Sequence, residues 1–175
     1  MATSAQAVSE DLVHSAEGGA AAGQYLTFIL AGEEYGVEIL RVQEIKGYDA
    51  VTPIPNTPDH VLGVLNLRGA IVPIVDLRKR FGLDTVEFGK TTVVIVVRMQ
   101  HGDQERTVGL VVDAVADVYR LDNNEIQPTP EMGTAIDTRF VRGLAVVGEN
   151  MVILLDIDNL IDFRDADLAA SNEDA

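Results

Sequence analysis

From Gln24 onward the apolar residues come in short β-branched runs, repeatedly interrupted by Gly, Pro or a polar pair. Runs at 24–31, 34–39, 42–48, 63–68, 70–75, 91–100, 105–112, 115–121, 142–147 and 150–156 predict ten short strands. GEE at 32–34, RGA at 68–70, HGDQ at 101–104 and GEN at 148–150 carry Gly or Asn where a tight turn needs positive φ, so the flanking runs should form antiparallel hairpins. The fifth and tenth runs each lead into an Asp and a brief amphipathic stretch, DLRKRFGL from Asp76 and DIDNLIDF from Asp156. An Asp in that place accepts the first free N–H groups of a helix, which predicts one or two helical turns after each fifth strand.

The two sets of five strands resemble each other. An offset of 80 residues lays 61–81 on 141–161, matching Val61 with Val141, Gly63 with Gly143, Val72 with Val152 and Asp76 with Asp156. An offset of 73 lays 35–45 on 108–118, with Gly36 on Gly109 and Val42 on Val115. Two blocks in the same order, ending in the same Asp, point to internal duplication. The expected fold is all-β: two small five-stranded barrels related by a pseudo-twofold axis, with short helices after the fifth strands. The expected divisions are a disordered lead at 1–23, a first barrel at 24–84, a second at 85–162 and an acidic tail at 163–175. Whether strands are exchanged between the barrels stays open.

Charge and composition narrow the function. The 13 basic and 28 acidic residues leave a net charge of −15, which repels nucleic-acid phosphates and anionic lipid headgroups. Nucleic acid and direct membrane insertion are not expected, since the longest aliphatic runs, VVIVV and MVILL, fall far short of a ~18-residue span. The N-terminal lead has neither Lys nor Arg and no apolar core of signal-peptide length, so a cytoplasmic location is expected. There is no cysteine, and His14, His60 and His101 are widely spaced, so neither a thiolate nucleophile nor a metal site is expected. No cofactor is implied.

One pair of aspartates and four segments carry candidate chemistry. Asp76 and Asp156, one per half, suggest the paired carboxylates of an aspartic hydrolase, but each is followed by Leu or Ile where such a dyad needs small residues, and helix capping accounts for both. GVLNLRG (63–69) lacks the Lys-Ser/Thr of a phosphate loop and precedes a strand. Within it Arg68 reads equally as a solvated strand-end charge or as a contact. TPIPNTP (52–58) is best read as a stiff crossover, and QPTPEMGTAIDT (127–138) as its longer counterpart, a possible docking loop. VEILRVQEI (37–45) has Val37, Ile39, Val42 and Ile45 as apolar positions, a pattern the third strand of a small barrel gives by itself; because such a barrel has few fully covered strands, any excess apolar face is a candidate contact surface. A small-ligand sensor using a groove between the barrels is the rival of a protein-binding role.

The stretch EYGVEILRVQEIKGYDAVTPIPNTPDHVLGVLNLRGAIVPIVDLRKRFG, with VQEI and GV-x-NLRG-x-IVPIVDLR inside it, strongly resembles the CheW family of bacterial chemotaxis coupling proteins. The likeness continues through KTTVVIVV, TVGLVVDAVADV and VRGLAVVGENMVILLDIDNLI, covering nearly the whole folded body. The resemblance implies two SH3-like barrels and a non-enzymatic adaptor. Its implied partners are the cytoplasmic tip of methyl-accepting chemoreceptors and the regulatory domain of the histidine kinase CheA, with recruitment to membrane-associated receptor arrays. The family's partner contacts carry over to Val42, Glu44, Gly63 and Arg68, less directly to Ile39. Gln127 and Met132 fall where the family has a second kinase-facing contact, in a loop that departs from the family pattern.

Overall fold

A computed structural model of the chain describes residues 23–128 and 138–162. All ten expected strands are present: β1 (Gln24–Leu30), β2 (Glu33–Glu38), β3 (Val42–Gly47), β4 (Val61–Leu67), β5 (Ala70–Asp76), β6 (Val93–His101), β7 (Gln104–Val112), β8 (Ala114–Arg120), β9 (Val141–Val147) and β10 (Asn150–Leu155). One-turn helices follow β5 (Leu77–Arg80) and β10 (Ile157–Leu160). The fold is all-β and of the two-barrel SH3-like type, with the expected short helices.

The strands make two five-stranded sheets, ordered β8-β1-β2-β10-β9 and β3-β6-β7-β5-β4. Each sheet draws on both halves of the chain, so strands are exchanged. The two orders are the same order with the halves interchanged, since β8, β1, β2, β10 and β9 occupy the places of β3, β6, β7, β5 and β4. Hairpins pair antiparallel, and one short parallel contact joins them in each sheet, β10 with β2 and β5 with β7. The duplication is visible in atomic detail. Leu154 stands opposite Gly36, and Ile74 opposite Gly109. A Cβ on Gly36 would lie 2.9 Å from Leu154 Cδ2, and one on Gly109 2.6 Å from Ile74 Cδ1, so each glycine makes room for the matching aliphatic side chain. The backbone N–H of Asp76 donates to His60 O and that of Asp156 to Phe140 O, both at 2.8 Å.

Alternation along the strands builds three apolar clusters. Leu26, Phe28 and Leu30 of β1 and Val93, Ile95, Val97 and Met99 of β6 meet in the largest, which lies between the sheets. The opposite faces make a smaller interior for each barrel, around Tyr25, Val152 and Leu154 in one and Val72, Ile74, Val94 and Val96 in the other. The run VVIVV is thus buried on both faces, the environment in which a continuous β-branched run replaces alternation.

Asp76 and Asp156 cap the two helical turns. Asp76 accepts from Arg78 N at 3.0 Å; Asp156 accepts from Asp158 N at 3.2 Å and from Asn159 Nδ2 at 2.8 Å. Arg78 in turn grips Asp113 with two hydrogen bonds, Nε to Oδ1 at 2.9 Å and Nη2 to Oδ2 at 2.6 Å. That hydrogen-bonded guanidinium holds the Asp113 carboxyl below its ordinary pKa against an opposing desolvation effect, whereas burial raises that of Asp76. The signs oppose. The lowered Asp113 pKa contributes stability that is present above the unfolded carboxyl value of ~3.9 and lost as pH falls through the folded pKa. The raised Asp76 pKa contributes stability that is present below the unfolded value and lost as pH rises through the folded pKa. Thermal melts from pH 7 down to pH 3 should therefore show a flatter acid loss for Asp113→Asn and a steeper one for Asp76→Asn than for the parent.

Candidate functional site

The site forms between β3, one edge strand of the second sheet, and the turn that follows β4, the other edge strand. Before β3 the chain makes a 3-10 turn at Ile39–Arg41, so β2 ends at Glu38. Within β3 the pairing to β6 slips between Val42, opposite Val97, and Glu44, opposite Val96. The slip leaves Gln43 as an extra residue, a bulge that resets the alternation of side chains. Val42 and Ile45 consequently both enter the shared core, and Glu44 is turned to the other face.

Arg68 arrives from the opposite edge on the two-residue turn between β4 and β5. Arg68 (φ 54°) and Gly69 (φ 87°) both take left-handed backbone, and Asn66 Oδ1 accepts from Gly69 N at 2.9 Å to hold the turn. Arg68 Nη2 lies 3.4 Å from Glu44 Oε2, with the arginine side chain 86% exposed and the glutamate 26%. A groove of about 450 Å³ opens beneath this pair, lined among others by Val42, Leu67, Val72, Val96 and Thr107. An ion pair this exposed contributes on the order of 0–1 kcal/mol to the fold. Breaking it for a partner costs the protein little.

Val42, Glu44 and Arg68 are thus brought together; the other expected contact residues are not. Ile39 is 3% exposed and packed in the shared core. Gly63 is buried in β4, where a Cβ would lie 2.2 Å from Thr52 O, so it serves the approach of two backbones. Gln127 belongs to the first sheet's surroundings: its N–H donates to Leu144 O at 2.7 Å and its carbonyl accepts from Leu144 N at 2.8 Å. Met132 lies outside the described residues.

Four exposed large apolar side chains among the described residues escaped the sequence reading: Leu40, Val86, Val146 and Met151. Leu40 is 53% exposed at the crest of the 3-10 turn, where Arg98 Nη2 donates to its carbonyl at 2.6 Å. Val146 and Met151, 58% and 55% exposed, are cross-strand neighbours on the β9–β10 hairpin. The repeat held a signal for Val146: the 80-residue offset sets it against Asn66, a polar residue replaced by an apolar one in the second copy. Among the described residues no group of three or more His, Cys, Asp or Glu is placed to hold a metal ion, and no helix is long and apolar enough to cross a membrane.

Residues 24–165 match the family model of the CheW-like domain. The chain is 49% identical over 138 residues to the chemotaxis protein CheW of Klebsiella aerogenes, covering 79% of this chain and 81% of the relative. It is 36% identical over 146 residues to the chemotaxis protein CheW of Rhizobium meliloti, covering 83% and 92%. Among solved structures, the scaffolding protein TtCheW from Thermoanaerobacter tengcongensis superposes with a TM-score of 0.72 at 38% identity, over 80% of this chain and 88% of that one.

Proposed function

Since this chain belongs to the CheW-like domain family, we propose that it is a non-enzymatic chemotaxis scaffold that couples the cytoplasmic tips of chemoreceptors to the regulatory domain of the histidine kinase CheA. The observation that carries this reading is the family match over residues 24–165, with identities of 49% and 36% to chemotaxis proteins CheW. The geometry supports a binding role. Asp76 and Asp156, the pair a hydrolase would need, are each engaged in capping their own helical turn. The groove at Val42, Glu44 and Arg68 offers apolar walls under a charged rim. In such a surface the buried area supplies affinity and the rim charges set register.

A receptor tip is a helical hairpin whose apolar stripe suits a groove of this kind. For the scaffold to transmit a signal, receptor and kinase must hold separate surfaces, and the contacts must differ in free energy between signalling states. Gln127 and Met132, on the loop between β8 and β9, belong to the proposed second, kinase-facing surface. The protein would then be recruited from the cytoplasm to receptor arrays.

Co-sedimentation with receptor-containing membranes, with and without the kinase, tests this. The chain is expected in the membrane pellet without kinase, and kinase is expected to pellet only when the chain is present. A chain that stays in the supernatant under both conditions overturns the reading.

A further inference from the structure

The chain passes between the two sheets twice where consecutive strands belong to different sheets and are joined by at most three residues, from β2 to β3 and from β7 to β8. An ion pair sits at each passage. At the first, Arg41 of the connection donates from Nη1 to Asp158 Oδ1 at 3.0 Å and from Nη2 to Asp158 Oδ2 at 2.9 Å, Asp158 lying on the helical turn after β10. At the second, Asp113 of the connection receives Arg78, on the helical turn after β5. Arg78 and Asp158 are equivalent by the 80-residue offset, each two residues past its capping Asp.

The surroundings match as well. The Asp158 carboxylate also accepts from Gln100 N at the end of β6, at 2.8 Å, and the Asp113 carboxylate from Ala31 N at the end of β1, at 2.9 Å. The two sites are therefore the same three-part knot of backbone N–H, carboxylate and guanidinium. Only the carriers differ: in one knot the connection brings the cation and the helix the anion, and in the other the reverse.

A duplicated chain has two ways to fill its sheets. Because Gly36 and Gly109 present equivalent hollows, β5 fits beside β2 by the same packing that seats β10 there, which would leave the β4–β5 and β9–β10 hairpins unexchanged while β3 and β8 still cross over on their short connections. In that pairing the helical turn after β5 would set Arg78 against Arg41, and the turn after β10 would set Asp158 against Asp113. The N–H of Gln100 would then meet two cations and no acceptor, and that of Ala31 two carboxylates. Partly buried like charges without hydrogen-bond partners are strongly unfavourable. We propose that the reversed polarity of the two passage ion pairs selects the exchanged pairing of the two hairpins, β10 beside β2 and β5 beside β7, over the unexchanged one, so that a sequence built from two similar halves folds in one way.

Swapping the helix charges, Arg78→Asp with Asp158→Arg, tests this, because it makes like pairs in the exchanged fold and opposite pairs in the unexchanged one. The chain has no cysteine, so a background of Glu34→Cys, Val72→Cys and Val152→Cys reports topology. Glu34 is the partner of Val152 in the exchanged fold, and Val72 is its equivalent in the other. The helix swap is expected to lower Tm by about 5–10 °C and to move a measurable share of the disulfide formed on oxidative refolding from 34–152 to 34–72. Adding Arg41→Asp and Asp113→Arg restores opposite pairs throughout and should recover both readouts, which keeps the test sharp even if the swap alone does not fold. A helix swap that melts like the parent, a 34–152 bond alone in every folded variant, or a fourfold variant that shows no recovery overturns the proposal.

Discussion

Gly63→Ala is expected to destabilise the protein by about 2–6 kcal/mol, lowering Tm by roughly 10–20 °C, while leaving every exposed side chain of the candidate groove unchanged. The cost has two parts. At φ 152° the residue occupies backbone that side-chain-bearing residues rarely adopt, a strain of about 1–3 kcal/mol. The added Cβ would also lie 2.2 Å from Thr52 O, 2.7 Å from Thr52 C and 3.0 Å from Pro53 Cα, all backbone atoms. Thr52 cannot retreat freely. Its N–H donates to Val64 O at 3.0 Å and its carbonyl accepts from Val64 N at 2.9 Å, so moving it opens the contact that closes β4 against the crossover. Relieving the clash by overpacking adds about 1–3 kcal/mol. Gly82→Ala is the control, with positive φ but nothing within 4 Å of the new Cβ, and about 1–2 kcal/mol is expected there. Equal melting of the two variants would refute a rigid approach at Thr52. The comparison also separates two roles, because any loss of partner binding by Gly63→Ala must be read beside its melt.

Strand existence was legible because hairpin turns and β-branched runs are local signals, and the duplication was legible because packing glycines and capping aspartates sit at fixed offsets. Exchange was not legible. Gly36 accommodates Leu154 in the structure, and nothing in the run around Ile74 forbids it the same seat; the choice rests on contacts far apart in sequence, such as Arg41 with Asp158. Any apolar excess in VEILRVQEI is a candidate contact face only for a barrel taken alone, which leaves one side of a strand uncovered. In the structure the segment's apolar residues Val37, Ile39, Val42 and Ile45 all join the core shared by the two sheets. The 3-10 turn and the bulge at Gln43 then reset the alternation, drawing Ile39 and Val42 inward and leaving Leu40 outside. Arg68 and Glu44 stand 24 positions apart on opposite edges of one sheet, so their pairing belongs to the closed barrel and to no local pattern.

That pairing allows charge reversal to distinguish a strut from a recognition element. Arg68→Glu and Glu44→Lys should each fold with stability within about 1 kcal/mol of the parent, since the arginine is exposed, the glutamate is half-buried at the groove rim and the pair is intrachain. Each is expected to weaken capture by receptor membranes or kinase by about 10- to 100-fold, equivalent to ~1.4–2.8 kcal/mol, because a like charge then faces whatever the native rim charge met. The double variant, Arg68→Glu with Glu44→Lys, re-forms an ion pair across the groove with the signs inverted. If the pair only props the barrel mouth open, the double variant binds like the parent. If partners read the charges, it binds as poorly as the single variants, and the parent's own binding weakens as salt is raised. Recognition predicts the second result, since an arginine that is 86% exposed at a turn has three donor nitrogens to offer and holds its glutamate only at 3.4 Å. Single variants that assemble and signal like the parent would remove Glu44 and Arg68 from the binding surface and shift attention to the exposed apolar residues Leu40, Val146 and Met151.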